Sequence, residues 1–141
     1  MLNTAQLCTE GAEEVLFIAD ACLGGLRGRS TLLIGPEEHR QLYVPLLQRA
    51  GVKNVYQEDT PLRAAALIPA VQLLISAPGP AQTRPSLTAG VIARGCVGRR
   101  TPLLIFDLSE STPSVEDLAG LLPTVCLYTP EDLRQILSKR R

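Results

Sequence analysis

The sequence lacks an excess of charge of either sign. Its 14 Lys and Arg residues balance its 14 Asp and Glu residues, so the formal net charge over 141 residues is zero. Proteins that bind nucleic acid or an anionic membrane over a broad surface usually carry a basic excess. We therefore expect neither as a partner. The short basic tail Lys139 to Arg141 is typical of a solvated helix end.

The sequence also lacks the cysteine and histidine spacing of a metal site or a disulfide framework. No Cys-x-x-Cys pair occurs, and the single histidine, His39, has no cysteine close to it in sequence. This pattern predicts reduced thiols, no metal, a cytoplasmic location and an exposed His39 on a helix surface. The four scattered cysteines are Cys8, Cys22, Cys96 and Cys126.

Long apolar runs are missing as well. A membrane-spanning helix needs about 18 or more consecutive apolar residues, and no segment of the sequence approaches that length. A secretory signal begins with basic residues, whereas acids such as Glu10, Glu13 and Glu14 stand near the start of this chain. The sequence therefore predicts a soluble protein.

What the sequence contains is an alternation of short apolar runs and amphipathic stretches. Its length suits one domain, residues 1–141, and its 45% apolar content is ordinary for a globular protein. A leading amphipathic helix is predicted at residues 4–23, within a segment 1–25 that ends at two glycines. Strands are predicted at residues 30–35, 52–57, 71–76, 102–108 and 124–128, and further helices at 37–50, 62–68, 86–93 and 130–137, the last running into the basic tail of segment 130–141.

This alternation predicts the fold class. Strands that alternate with helices form right-handed parallel crossovers, so we expect a Rossmann-like, doubly wound parallel sheet of about five strands with helices on both faces. Ligands of such sheets bind beyond the carboxyl ends of the strands, where the strand order reverses. We expect that crevice between the first and fourth strands.

Four segments occur in an order and spacing that resemble the nucleotide-binding domain of glutamyl-tRNA reductase. They read LRGRSTLLIG at residues 26–35, SAPGP at 76–80, PLLIFDL at 102–108 and VCLYTPEDL at 125–133. The resemblance implies an enzyme family that opens tetrapyrrole synthesis, with a catalytic cysteine in a preceding domain and a dimer-forming helical region behind. Neither has a counterpart here, so we expect no catalytic residue. Shikimate dehydrogenases, which carry a related domain, are the alternative.

The resemblance aligns the family's G-x-G-x-x-G turn with residues 35–40. Gly35 keeps the first glycine, while Glu37 and Arg40 replace the second and third. The second glycine lets the backbone approach a pyrophosphate, and an acid at that position competes with phosphate for the helix N-terminus. Glu37 equally suits the first turn of a helix. We therefore expect no cofactor, although Arg40 leaves an unusual nucleotide mode open.

Asp59 keeps NAD as an alternative. The family's Asn-Arg-Thr segment aligns with residues 59–61, and the loss of its arginine disfavours NADP. Asp59 stands about 20 residues after the turn, where an acid accepts a ribose hydroxyl of NAD, but it is also an ordinary turn residue. Gly79, in the proline-rich loop 77–80, would leave room for the cofactor. The cofactor-binding candidates are Gly35, Glu37, Arg40, Asp59 and Gly79.

The remaining cysteines and arginines give weaker candidates. Cys22 and Cys126 fit small apolar core positions. Cys96 stands in a basic loop whose cations could lower its pKa, and the same cations are a candidate site for an anion such as a tetrapyrrole propionate. Those cations are Arg94, Arg99 and Arg100.

Three functions follow from these observations. The preferred one is a non-catalytic relative of the reductase domain that acts as a binding or accessory protein, linked through the resemblance to tetrapyrrole (haem) synthesis. Its partner would be a protein or a small anionic ligand in the crevice. The second is an NAD-dependent oxidoreductase, or its nucleotide-binding subunit, that uses Asp59. The third is a structural domain that self-associates through helix 4–23.

Overall fold

The computed structural model describes residues 11–76, 88–108 and 124–140. Helices and strands alternate along these ranges. The strands are β1 Ser30–Ile34, β2 Asn54–Glu58, β3 Leu73–Ser76, β4 Leu103–Asp107 and β5 Val125–Tyr128. The helices are α1 Ala12–Leu23, α2 Glu37–Arg49, α3 Ala64–Leu67, α4 Ala89–Gly95 and α5 Pro130–Arg140, with 3-10 turns Pro61–Arg63 and Ile68–Ala70 on either side of α3.

The strands form one parallel sheet in the order β2-β1-β3-β4-β5. This confirms the predicted doubly wound α/β sheet. The prediction that the strand order reverses between the first and fourth strands is wrong, because β3 pairs directly with β1, with Leu32 beside Leu74. The crevice therefore lies between β1 and β3.

Burial along the strands explains this order. Every residue of β1, β3 and β4 is buried, as expected for apolar strands covered by helices on both faces. In contrast, β2 and β5 contain only exposed or partly buried residues. The polar sequence of β2 thus places it at an edge, which leaves the position beside β1 to β3.

Two core layers lie on opposite faces of the sheet. In one layer α1, α2 and α5 pack on the sheet through residues such as Leu16, Leu47 and Leu133. In the other, α3 and α4 pack on the opposite face through Ile68 and Ile92. The prediction of helices on both faces is confirmed. Burial of these apolar side chains is the main driving force for folding.

Several element boundaries differ from prediction. The stretch predicted as one helix at 62–68 is a short α-helix between 3-10 turns, because a proline stands at each end. α4 begins at Ala89, where the Thr88 hydroxyl accepts a hydrogen bond of 3.2 Å from the Val91 amide. α5 continues beyond 137 to Arg140. Residues 1–10, which include the start of the predicted leading helix, and the loop 77–80 lie outside the described residues.

Within the described ranges, no helix has the length and apolar character needed to cross a membrane.

Candidate functional site

The candidate site lies at the carboxyl ends of β1 and β2. Gly35 follows β1 and is buried, with a φ of +139° that residues with a side chain rarely adopt. Its amide donates a hydrogen bond of 3.0 Å to the Glu58 carbonyl at the end of β2. Pro36 then turns the chain into α2. The turn is therefore fixed against β2 by its own backbone.

Arg40, on the first turns of α2, fills the space between these two strand ends. Its Nε donates to the Gly35 carbonyl at 2.8 Å, and its Nη1 donates to Oε1 of Gln57 at 2.9 Å. Its Nη2 lies 2.5 Å from Oδ1 of Asp59, and the Arg40 side chain is only 12% exposed. The structure thus brings three of the predicted site residues, Gly35, Arg40 and Asp59, into one contact.

Asp59 is the outermost member of this network. Its side chain is 81% exposed although one oxygen meets Arg40. It follows β2 by one residue, and because side chains alternate along an extended chain, it shares a face with Gln57. The carboxylate is thus placed at the strand end where a dinucleotide fold holds a ribose, with the Arg40 guanidinium on its inner side.

Glu37 and Gly79 stand apart from this contact. Glu37 lies exposed on the first turn of α2, where its negative charge meets the positive end of the helix dipole. Gly79 lies outside the described residues. His39, predicted to be exposed, is partly buried on the same turn of α2.

Two residues of this edge were missed by sequence reasoning. Gln57 binds Arg40, and the available signal was its position two residues before Asp59. Asp107 is 3% exposed at the carboxyl end of β4, beside the buried Ser76 of β3. Its signal was a carboxylate that directly follows an apolar strand. Both belong to the strand ends around the crevice.

The basic loop after α4 has a structural role. Arg99 donates hydrogen bonds to the backbone carbonyls of Ile68, Val71, Thr101 and Pro102 at 2.6 to 3.0 Å. It therefore does not serve the anion site predicted for it, while Arg94 and Arg100 lie exposed.

Cys96 is also wrongly predicted as an activated thiol. It is buried, and burial raises the pKa of the thiol more than the neighbouring Arg99 lowers it. A neutral thiol is a poor nucleophile at neutral pH. The loop thus supplies packing and backbone hydrogen bonds.

The prediction that Cys22 and Cys126 are core residues is wrong, because both are exposed. Cys22 Sγ lies 3.4 Å from the hydroxyl of Tyr128. This hydrogen bond, followed by burial and neighbouring groups, raises the pKa of Tyr128 to about 12. Partial burial, followed by Cys22 and Asp132, raises the pKa of the Cys126 thiol.

The segment that carried the most particular part of the resemblance is a helix start. The Thr129 amide and hydroxyl donate to Oδ2 of Asp132 at 2.9 and 3.0 Å, and the Asp132 amide donates to the Thr129 hydroxyl at 3.2 Å. This reciprocal arrangement is a capping box. Tyr128 stacks on Phe106, with ring centroids 5.1 Å apart, and Leu133 is fully buried. The motif stabilises the fold and holds no ligand group.

Among the described residues, no three His, Cys, Asp or Glu side chains are arranged to hold a metal ion.

Solved structures share the fold at low sequence identity. Glutamyl-tRNA reductase of Methanopyrus kandleri gives a TM-score of 0.65 at 18% identity, over 94% of this chain and 37% of that protein. A dipicolinate synthase chain of Bacillus halodurans gives 0.64 at 16%, over 96% and 53%. A methylenetetrahydrofolate dehydrogenase-cyclohydrolase of Trypanosoma brucei, complexed with NADP and an inhibitor, gives 0.55 at 18%, over 91% and 48%. No family model and no curated protein sequence matches the chain.

These similarities establish a Rossmann-like fold. The identity to the glutamyl-tRNA reductase equals that to the dehydrogenase-cyclohydrolase, so the structural likeness does not favour one of these enzymes. The chain spans 37% to 53% of the length of the three proteins. Fold likeness alone does not fix an activity.

Proposed function

We propose that this chain is a non-catalytic Rossmann-like domain that works as a binding or accessory protein. The observation that carries the proposal is the Arg40 guanidinium, which lies against the Gly35 carbonyl and the Asp59 carboxylate. A dinucleotide in this fold needs the glycine turn for its pyrophosphate and the acid after the second strand for its ribose. Here both groups bind a side chain of the protein.

Charge at the turn supports the same proposal. Glu37 is exposed at the N-terminus of α2, in the position of the glycine that approaches the pyrophosphate. Its carboxylate repels a pyrophosphate and already interacts favourably with the helix dipole. A bound nucleotide would have to overcome this repulsion and also displace Arg40.

The partner proposed for this domain is a protein or a small anionic ligand at the crevice between β1 and β3. The four segments that resemble glutamyl-tRNA reductase favour a partner from tetrapyrrole synthesis. The free, exposed thiols of Cys22 and Cys126 support a reducing, cytoplasmic location.

Calorimetric titration of the purified protein with NADH and with NADPH tests the proposal. We expect no measurable heat of binding for either nucleotide at millimolar concentration. A dehydrogenase with an intact glycine turn is the positive control in the same buffer. Micromolar affinity for either nucleotide contradicts the proposal.

The second candidate, an NAD-dependent oxidoreductase or its nucleotide-binding subunit, is favoured by Asp59. This side chain follows β2 and is 81% exposed, so a ribose could reach its outer oxygen. NADP is disfavoured, because the Asp59 charge would meet its 2′-phosphate. Micromolar NADH binding that Asp59→Ala abolishes would establish this candidate in place of the first.

A further inference from the structure

The contact around Arg40 uses the acceptors that a bound ribose would need. Three acceptors lie within 2.9 Å of one guanidinium: the Gly35 carbonyl, Oε1 of Gln57 and Oδ1 of Asp59. A ribose diol likewise offers hydroxyl donors to an acid after the second strand. The N–H groups of Arg40 therefore satisfy acceptors that would otherwise face the crevice.

We propose that Arg40 is the specificity-determining residue of the crevice, and that it excludes dinucleotides by occupying the ribose position above an otherwise intact NAD-type acid, Asp59. This inference rests on the proposed function, since it explains why the domain would not bind NADH. It assigns the exclusion of the ribose to one side chain.

The surroundings of Arg40 support a replaceable occupant. Asp59 is mostly exposed and Gln57 is partly buried, so water can hydrate both acceptors once the guanidinium is removed. The Gly35 turn keeps its hydrogen bond to Glu58 without any help from Arg40. Removal of Arg40 should therefore open the crevice and leave the turn and both strand ends in place.

Glu37 acts at a different position and must be separated from Arg40 in the test. It stands where the pyrophosphate approaches the helix N-terminus, whereas Arg40 reaches the ribose position near β2. Glu37→Gly removes the repulsion of the phosphates alone. The effect of Arg40 is then read as the change between Glu37→Gly and the double variant Glu37→Gly, Arg40→Ala.

The experiment measures NADH affinity by calorimetry for the wild type, Glu37→Gly and the double variant. We expect the double variant to bind NADH at least tenfold more tightly than Glu37→Gly, and at least tenfold more tightly than it binds NADPH. Adding Asp59→Ala should return the affinity to that of Glu37→Gly. Arg49→Ala in the Glu37→Gly background is the matched control, because it removes an exposed cation from the far end of α2.

Circular dichroism and a cooperative melt verify that each variant is folded. If Arg40→Ala does not fold, Arg40→Gln takes its place, since glutamine removes the charge and the guanidinium fork while it keeps the helix. A folded double variant that binds NADH no better than Glu37→Gly overturns the inference, as does an equal gain from Arg49→Ala. Micromolar binding by the wild type would instead overturn the proposed function, so the two failures are distinguishable.

Discussion

Arg40 is held by acceptors of three kinds, namely a backbone carbonyl, an amide oxygen and a carboxylate. Because Asp59 is exposed, the ion pair by itself contributes only about 0 to 1 kcal/mol. The two neutral hydrogen bonds fix the direction of the side chain, which is itself nearly buried. A planar fork with several donors suits this arrangement, and a lysine ammonium would not reach all three acceptors.

Thr31 gives a prediction about stability. It is fully buried in β1, and its hydroxyl has no hydrogen-bond partner among the described residues. Burial of an unsatisfied hydroxyl destabilises a protein, so Thr31→Val should raise the free energy of unfolding by about 1 kcal/mol. The midpoint of denaturant unfolding measures this change.

The neighbouring Ser30 is the control for Thr31. It is also buried, but its hydroxyl accepts a hydrogen bond of 3.2 Å from Asn54. Ser30→Ala should lower the stability, since it leaves the Asn54 amide without this acceptor. A loss of stability in Thr31→Val would show that its hydroxyl is satisfied.

Tyr128 predicts a pH dependence. Its pKa is raised from 10.0 to about 12, with the hydrogen bond to Cys22 as the largest cause. Since the folded state favours the neutral phenol, this contribution to stability is fully present below pH 10 and is lost as the pH rises through about 12. Cys22→Ala should lower the pKa of Tyr128, which an ultraviolet absorbance titration measures. Tyr128→Phe identifies the transition that belongs to this residue, and an unchanged transition in Cys22→Ala would refute the assignment.

At the level of secondary structure, the contact between α3 and α4 depends on one glycine. A Cβ at Gly95 would lie 2.7 Å from Cβ of Ile68, closer than side chains approach in proteins. Gly95→Ala should therefore destabilise the protein by about 1 to 3 kcal/mol, as overpacking does. Thermal or denaturant unfolding measures the loss.

Gly90, on the same helix, is the matched control for Gly95. A Cβ there would meet nothing nearer than the Thr88 hydroxyl at 3.9 Å. Gly90→Ala should be neutral or stabilising by up to about 1 kcal/mol, because alanine favours the helix. If both alanine variants behave alike, helix propensity rather than the contact with Ile68 decides the outcome.

The sequence predicted these elements well because their signals are local. Buried strands such as β1 and β4 are short apolar runs, and Gly24 ends α1 as expected. The strand order was only partly predictable, since the pairing of β3 with β1 depends on which strand has enough apolar surface to be central. The polar composition of β2 carried that information.

The site was predictable as residues but not as a contact. Gly35, Arg40 and Asp59 follow from the alignment of the turn and the strand end. Their mutual hydrogen bonds depend on the register of β1 and β2, which places Gln57 beside Leu33 and brings side chains 19 positions apart together. A single sequence does not specify such side-chain orientations.

Across the whole molecule, the thiols differ in access to solvent. Cys22 and Cys126 lie exposed near the edge strand β5, whereas Cys96 lies in the core between the sheet and α4. An alkylating reagent should therefore modify Cys22 and Cys126 in the native protein and reach Cys96 only when the fold opens. Mass spectrometry of digested peptides, with and without denaturant, measures this order. Rapid native modification of Cys96 would show that this layer opens locally.

The hydrogen bonds of Arg99 have a consequence for how this domain can change during evolution. They join the entries of β3 and β4 at the amino ends of the strands, far from the Gly35 turn at the carboxyl ends. Mutations at the carboxyl ends can therefore accumulate while the opposite end maintains the sheet. This separation makes the scaffold tolerant of divergence, so that a lineage could exchange one ligand for another at the crevice without passing through unfolded intermediates.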